Sequence, residues 1–354
     1  MQGLFLYCRA GFESECAAEI HYHSALLTIS GYAKTKPASG YVLFIAHQGE
    51  EIDRLVRELP FERLIFTRQW FIVLALRNDL SITDRISGLV EGLAELPERA
   101  GELFLETPDT NDAKQLSPLC RALERPLRDA LRQRGLLTAP QKSAWRIHIS
   151  FLSTCAAYIG YVPVNNSAPW PMGIVRLRSP RAAPSRSTLK LEEAFVTLLT
   201  EVERGLYLNS GMTAVDLGAA PGGWSWQLIQ RSMRVTAVDN GPMAESVMES
   251  GIVDHQRVDA FRYQPPKPVD WLVCDVVEQP IRIAALIAKW LTSGWCRYTI
   301  FNLKLPMKKR YAEVQRCLEL ISQQLTAAGL PFTVKAKQLY HDREEVTVFI
   351  AITE

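Results

Sequence analysis

The stretch VDLGAAPGGWSWQLI, running from Val215 to Ile229, restricts the fold of this chain more than any other. Strand-forming apolar residues lead into Gly218, Ala220, Pro221, Gly222 and Gly223, and a helix-like run beginning near Trp224 follows. Glycine lacks a Cβ, so the backbone can turn left-handed and a ligand can come close to it. Pro221 stiffens the same turn. A strand that ends in such a loop and returns as a helix belongs to an open α/β sheet, whose ligand crevice lies beyond the carboxyl ends of the strands. The amides that open the helix suit a negative group. The spacing is DLGxxPGG rather than GxGxxG, so the loop is no dinucleotide pyrophosphate cradle.

The alternation persists. TAVDLG, WSWQLIQRS, RVTAVD, PMAESVMES, DWLVCD, RIAALIAKWL, RYTIFNLKL, KRYAEVQRCLELISQQLTAAG, FTVKAKQLY and EEVTVFIAI read in turn as strands and helices. Repeated βα units predict an α/β, Rossmann-like, doubly wound and mostly parallel sheet, with the last two segments pairing antiparallel. Its strand tips are acidic or glycine-rich. Gly218 closes the first, Asp239 the second, where a carboxylate can hold ribose hydroxyls, and Asp259 the third, within reach of an adenine amino group. Asp275 ends DWLVCD. Taken singly, such acids also cap the helices that follow. As an ordered set with DLGxxPGG, they describe a pocket for S-adenosyl-L-methionine better than one for NAD.

Ahead of this region the pattern is α+β. Strand, turn, helix and strand come first; RLIFTRQWFIVLALR opens a strand-rich block, a long helix is expected from about Ala113 to Arg134, and AWRIHISFLSTCAAYIGYVPV reads as two paired strands. NNSAPWPMGIVRLRSPRAAPSRS, Asn165 to Ser187, is rich in Pro, Ser, Asn and Arg and has little periodicity, as a linker would. The expected division is 1–58, 59–164, a linker at 165–184, and 185–354. Seven scattered cysteines without a CxxC pair read as reduced, mostly buried thiols, and the histidines show no metal-ligand spacing. No apolar run is long enough to cross a bilayer, and the amino terminus lacks a signal-peptide layout, which makes the cytoplasm the expected location. No coiled coil or apolar stripe suggests assembly, so a monomer is expected.

VDLGAAPGGWS is similar to the first motif of the FtsJ/RrmJ-like RNA ribose 2′-O-methyltransferases. That resemblance implies a Lys-Asp-Lys-Glu tetrad, matched by Lys190 in SRSTLKLEEAF, Asp275 in DWLVCD, Lys304 in IFNLKLP and Glu345 in DREEVTVFI, with Glu344 as the neighbouring alternative. The longer chain resembles bacterial large-subunit rRNA cytidine 2′-O-methyltransferases through APSRSTLKLEEAF, VDNGPMA, FNLKLPMKKRY and QLYHDREEVTV. What this implies is a ferredoxin-like segment at 1–58, a THUMP-type RNA-binding domain at 59–164, and a cytidine of 23S rRNA as target, in precursor or unassembled large-subunit RNA.

Methylating a ribose hydroxyl requires a base to take its proton, and a lysine serves only when neutral. Two lysines drawn to one spot depress each other's pKa. Lys304, between Leu303 and Leu305, is the expected base, with Lys190 as second cation and Asp275 and Glu345 as positioning groups; no metal is called for. Ser187, Ala220 and Trp224 join the glycines, Asp239, Asp259 and Asp275 as expected cofactor contacts. For RNA, the net charge of +2 leaves only local patches. Arg178, Arg181 and Arg186 line the linker, and Lys308, Lys309 and Arg310 follow the Lys304 strand. Arg125, Arg128 and Arg132 share a helix face that suits phosphates, or equally a solvated face balanced by acids. Trp170 is the tryptophan best placed to stack on a base. Base N-methylation is disfavoured because CDVVEQP replaces an (N/D)PP(Y/F) loop, and cytosine C5 chemistry because Cys274 lacks its proline. A non-catalytic assembly factor would have lost a tetrad member or the glycine loop.

Overall fold

The run GLFLY is buried at every position and needs partners along both edges. In the computed structural model, which describes residues 3–353, it finds them in one seven-stranded sheet. The strands are β1 (Gly3–Tyr7), β2 (Gly31–Thr35), β3 (Tyr41–Ala46), β4 (Gln69–Arg77), β5 (Glu102–Glu106), β6 (Trp145–Phe151) and β7 (Ala157–Pro163), in spatial order β2-β3-β1-β4-β7-β6-β5. All pair antiparallel except β5 with β6. β1 lies between β3 and β4, so the boundary expected at residue 58 falls inside a single sheet. Helices α1 (Glu13–Leu26), α2 (Glu51–Glu58), α3 (Arg85–Glu91), α4 (Asn111–Lys114) and α5 (Ser117–Gln133) complete this unit, Met1–Ile174. The long helix expected from Ala113 is two helices. Pro118 stands in the first turn of α5, where its missing N–H costs nothing, which favours a helix start there.

The first part of the expected linker is fastened down. The side-chain amide of Asn166 donates to the carbonyls of Val56 and Leu59 and accepts from Phe61 N–H at 2.7 Å. Gln69 Nε2 donates to Ala168 O at 2.7 Å, and Ala168 N–H returns to Gln69 Oε1. One amide side chain satisfies backbone groups on the far segment in each case, and residues 165–174 belong to the first unit.

The second unit, Val175–Glu354, carries β8 (Thr213–Leu217), β9 (Arg234–Val238), β10 (Val253–Gln256), β11 (Val269–Cys274), β12 (Cys296–Lys304), β13 (Phe332–Lys337) and β14 (Glu345–Ile352). Their order is β10-β9-β8-β11-β12-β14-β13, parallel from β10 to β12, with β14 antiparallel to both its neighbours. Helices α6 (Thr188–Leu198), α7 (Glu201–Tyr207), α8 (Gly223–Ile229), α9 (Glu245–Met248), α10 (Pro280–Thr292) and α11 (Arg310–Ala327) connect them. Trp271, Phe195, Tyr298 and Phe349 anchor one core layer, with Phe195 edge-on to Trp271 at 5.7 Å. Strand order reverses between β8 and β11, and ligands of doubly wound sheets bind at such a switch point. Among the described residues, no helix is long and apolar enough to cross a membrane.

Candidate active site

The loops leaving β8 and β11 meet at that switch point. Asp275 follows β11 directly, and its N–H donates to Leu217 O at 3.3 Å. Lys304 is the last residue of β12, and Glu345, the first of β14, is its cross-strand partner. Lys190 reaches in from the first turn of α6. The four side chains form a closed ring. Lys304 Nζ donates to Asp275 Oδ1 and Glu345 Oε2. Lys190 Nζ lies 3.4 Å from Asp275 Oδ2 and pairs with Glu345 Oε1. Each carboxylate thus bridges both lysines. Lys190, Asp275 and Lys304 keep 18%, 17% and 22% of their side-chain surface open, whereas Glu345 keeps 5%.

The charge state differs from the sequence expectation. Burial pulls the Lys304 ammonium down, but Asp275 and Glu345 outweigh it and hold its pKa above the usual lysine value. Burial likewise raises the Asp275 carboxyl, and Lys304 with Lys190 overcomes that and keeps it below the usual range. At rest, therefore, Lys304 is held charged by the two carboxylates it contacts.

The glycine loop is held by protein contacts. A Cβ on Gly223 would lie 2.1 Å from Ser187 Oγ and 2.4 Å from Ser185 Oγ, so the segment before α6 seats directly on the loop. Gly218 is left-handed, with φ of 79°, and a Cβ there would meet Val276 at 2.8 Å. At these two positions glycine is needed for close packing of the chain on itself. Asp239 accepts from Ala220 N–H at 3.0 Å and from Gly241 N–H at 2.7 Å, fixing the loop against the β9 tip. Beneath the loop, Asp216 is buried. Ser225 Oγ donates to its Oδ2 at 2.7 Å, and Oδ1 has no hydrogen-bond partner. Burial pushes its carboxyl up to about 7; the Ser225 bond opposes this and the Asp275 charge adds to it. A polar cradle with an orphaned acceptor below it fits a ligand that carries hydroxyl and amino donors.

Other expected residues stand elsewhere. Trp224 is 3% exposed and packs in the core. Asp259 is exposed and accepts from Phe261 N–H at 2.8 Å, closing its own turn. Arg178, Arg181, Arg186, Lys308 and Lys309 are exposed. Arg310 instead pairs with Glu344 at 2.6 Å. Arg128 pairs with Glu124 and Arg132 with Asp129, while Arg125 is exposed. The Cys274 thiol is buried, and burial pushes it up to about 12, unsuited to nucleophilic attack.

Two residues beside the ring escaped sequence reading: Asn302, which donates to Asp275 Oδ1 at 2.9 Å, and its cross-strand partner Thr347. Polar residues two apart in apolar strands, 302 with 304 and 345 with 347, share one face and were the available signal.

The fold and this site define a Rossmann-like methyltransferase, and residues 183–332 match the model of the FtsJ-like methyltransferases. Residues 1–71 match an RlmM ferredoxin-like domain, and residues 84–163 the N-terminal part of ribosomal RNA large subunit methyltransferase M. The protein of that name from Yersinia enterocolitica is 53% identical over 98% of this chain and 94% of its own length. Those from Haemophilus influenzae and Cellvibrio japonicus are 52% and 50% identical, each over 99% of this chain and 99% and 100% of their own lengths. The chain belongs to the ribosomal RNA large subunit methyltransferase M family.

Proposed function

We propose that this chain transfers a methyl group from S-adenosyl-L-methionine to the ribose 2′-hydroxyl of a cytidine in 23S rRNA, in the cytoplasm, as a monomer acting on precursor or unassembled large-subunit RNA. The observation that carries this reading is the convergence of Lys190, Asp275, Lys304 and Glu345 beside the glycine loop. When bound, the donor supplies an electrophilic methyl group on a positively charged sulfur. Asp239 and the amides of the loop would hold it, with Ser187 closing the loop from behind.

The residues do the rest. Lys304 Nζ takes the proton of the attacking hydroxyl. It must first lose its own, and its two carboxylate partners resist that. A cationic ligand beside the ring shifts the balance in the required direction. Lys190 keeps both carboxylates in place through the change, so the proton acceptor stays aligned. Arg178, Arg181, Arg186, Lys308 and Lys309 offer exposed cations to the RNA phosphates. The test uses tritiated donor and rRNA that lacks the modification, followed by mapping of the label. Label on the ribose of a cytidine is expected; label on a base overturns the reading.

A further inference from the structure

The ring of charges continues inward through groups that the reaction does not touch. Asn302 and Thr347 are fully buried, and Asp342, in the turn before β14, is 1% exposed. Asn302 Nδ2 donates to Asp275 Oδ1 at 2.9 Å, and Asn302 Oδ1 lies 2.7 Å from Thr347 Oγ1. Thr347 Oγ1 lies 3.1 Å from Asp342 Oδ1 and 3.0 Å from Oδ2, and Leu339 N–H donates to that Oδ2 at 2.9 Å.

Counting hydrogens decides the protonation state. Asp275 faces two ammonium groups and only accepts, so Asn302 turns its NH2 toward Asp275 and its carbonyl toward Thr347. A threonine hydroxyl has one hydrogen, and the contact with the Asn302 carbonyl uses it. Thr347 therefore shows only lone pairs to Asp342. Two bare acceptors this close in a dry interior repel, and the contact becomes a bond only if Asp342 brings the hydrogen.

We infer that Asp342 is a neutral carboxylic acid in the working protein and a positioning residue for Lys304, acting through Thr347, Asn302 and Asp275 in that order. Its O–H donates to Thr347, Thr347 to Asn302, and Asn302 to the oxygen of Asp275 that also binds Lys304. Surrounding charges agree. Burial pushes the Asp342 carboxyl up to about 8; Glu345 on β14 and Glu193 on α6 add to this, while the Leu339 N–H and Lys190 oppose it. His341, the adjacent titratable group in the turn, binds Glu193 through Nδ1 at 2.5 Å, and on β13 the buried Lys337 stands opposite Thr347. When Asp342 ionises, the donor at the head of the chain is lost and the single Thr347 hydrogen turns to the Asp342 carboxylate. The Asn302 carbonyl is then left unpaired, so the amide that orients Asp275 is no longer fixed.

The link to Lys304 rests on the proposed ribose chemistry, whereas the protonation of Asp342 does not. Isotope-edited infrared spectroscopy of the full chain therefore comes first. A carboxylic-acid carbonyl band is expected at neutral pH, lost as pH rises through about 8 and absent from Asp342→Asn. Its absence at neutral pH overturns the inference whatever the substrate. Single-turnover methyl transfer follows, with folding checked by thermal melting. Asp342→Asn, whose amide can still donate to Thr347, is expected within about threefold of the parent at neutral pH. It should also lack the parent's alkaline loss. Asp342→Ala is expected to fall about tenfold or more, with donor affinity unchanged. An Asn variant as impaired as the Ala variant, or one whose pH profile overlays the parent's, overturns the positioning role.

Discussion

Each unit of this protein hides a carboxylate against a basic side chain, yet only one of the two clusters opens to solvent. In the first unit Glu106 Oε2 lies 2.7 Å from His148 Nδ1 and accepts from Tyr7 OH at 3.3 Å, while its Oε1 accepts from Met172 N–H. The His148 ring stacks on Phe71 at 5.1 Å and meets the edge of Phe104 at 5.4 Å. Both side chains are wholly enclosed. In the second unit the ring around Lys304 stands at the carboxyl ends of parallel strands, and three of its four members reach solvent. A buried acid beside a base therefore marks stability as readily as function; an opening, and carboxylates shared between two cations, separate the cases.

The contrast can be broken at several points. Lys304→Met should lower single-turnover methyl transfer about a thousandfold or more with little change in melting temperature. Retention of a tenth of the activity would remove Lys304 as base. In the first unit, Glu106→Gln places an NH2 group against neighbours that need acceptors. A loss of about 2–3 kcal/mol in chemical denaturation is expected, with unchanged activity per folded molecule. An activity loss at full stability would make the enclosed cluster functional.

Glu345→Gln sharpens the electrostatic side. Removing a carboxylate that holds the Lys304 pKa up frees the base at lower pH, so the ascending limb of the pH–rate profile, which precedes the loss tied to Asp342, should move to lower pH. A rise that stays put or moves to higher pH would show that Glu345 does not set the charge on Lys304. The smallest effect belongs to Arg128 and Arg132, whose charges are already balanced by Glu124 and Asp129. Alanine at both should change rRNA affinity less than about twofold, measured by filter binding over a salt series.

The second unit was legible because its strands are buried on both faces and read as short apolar runs such as DWLVC, separated by helical periods. The four ring residues were singled out by the resemblance to RNA ribose 2′-O-methyltransferases, and the structure brings their side chains into contact. Their charge state was not legible, since it depends on which oxygen faces which nitrogen. Asn302 and Thr347 were missed because their role arises from the β12–β14 register, which local patterns do not encode. In the first unit, Glu19 reads as one more polar residue of a helix, yet it is fully buried and accepts from the N–H groups of Phe66 and Thr67. Asn166 and Gln69 play similar parts far from their sequence neighbours, which is why a Pro- and Asn-rich segment looked loose.

The position of β1 between β3 and β4 bears on attempts to recombine this protein with its relatives. Its register with β4 runs from Gly3 opposite Val73 to Tyr7 opposite Gln69, so a crossover near residue 58 would ask two parental backbones to knit along a freshly cut seam. Breakpoints after Ile174 sever no strand pairing, and hybrids joined there keep each parent's hydrogen-bonded fabric whole.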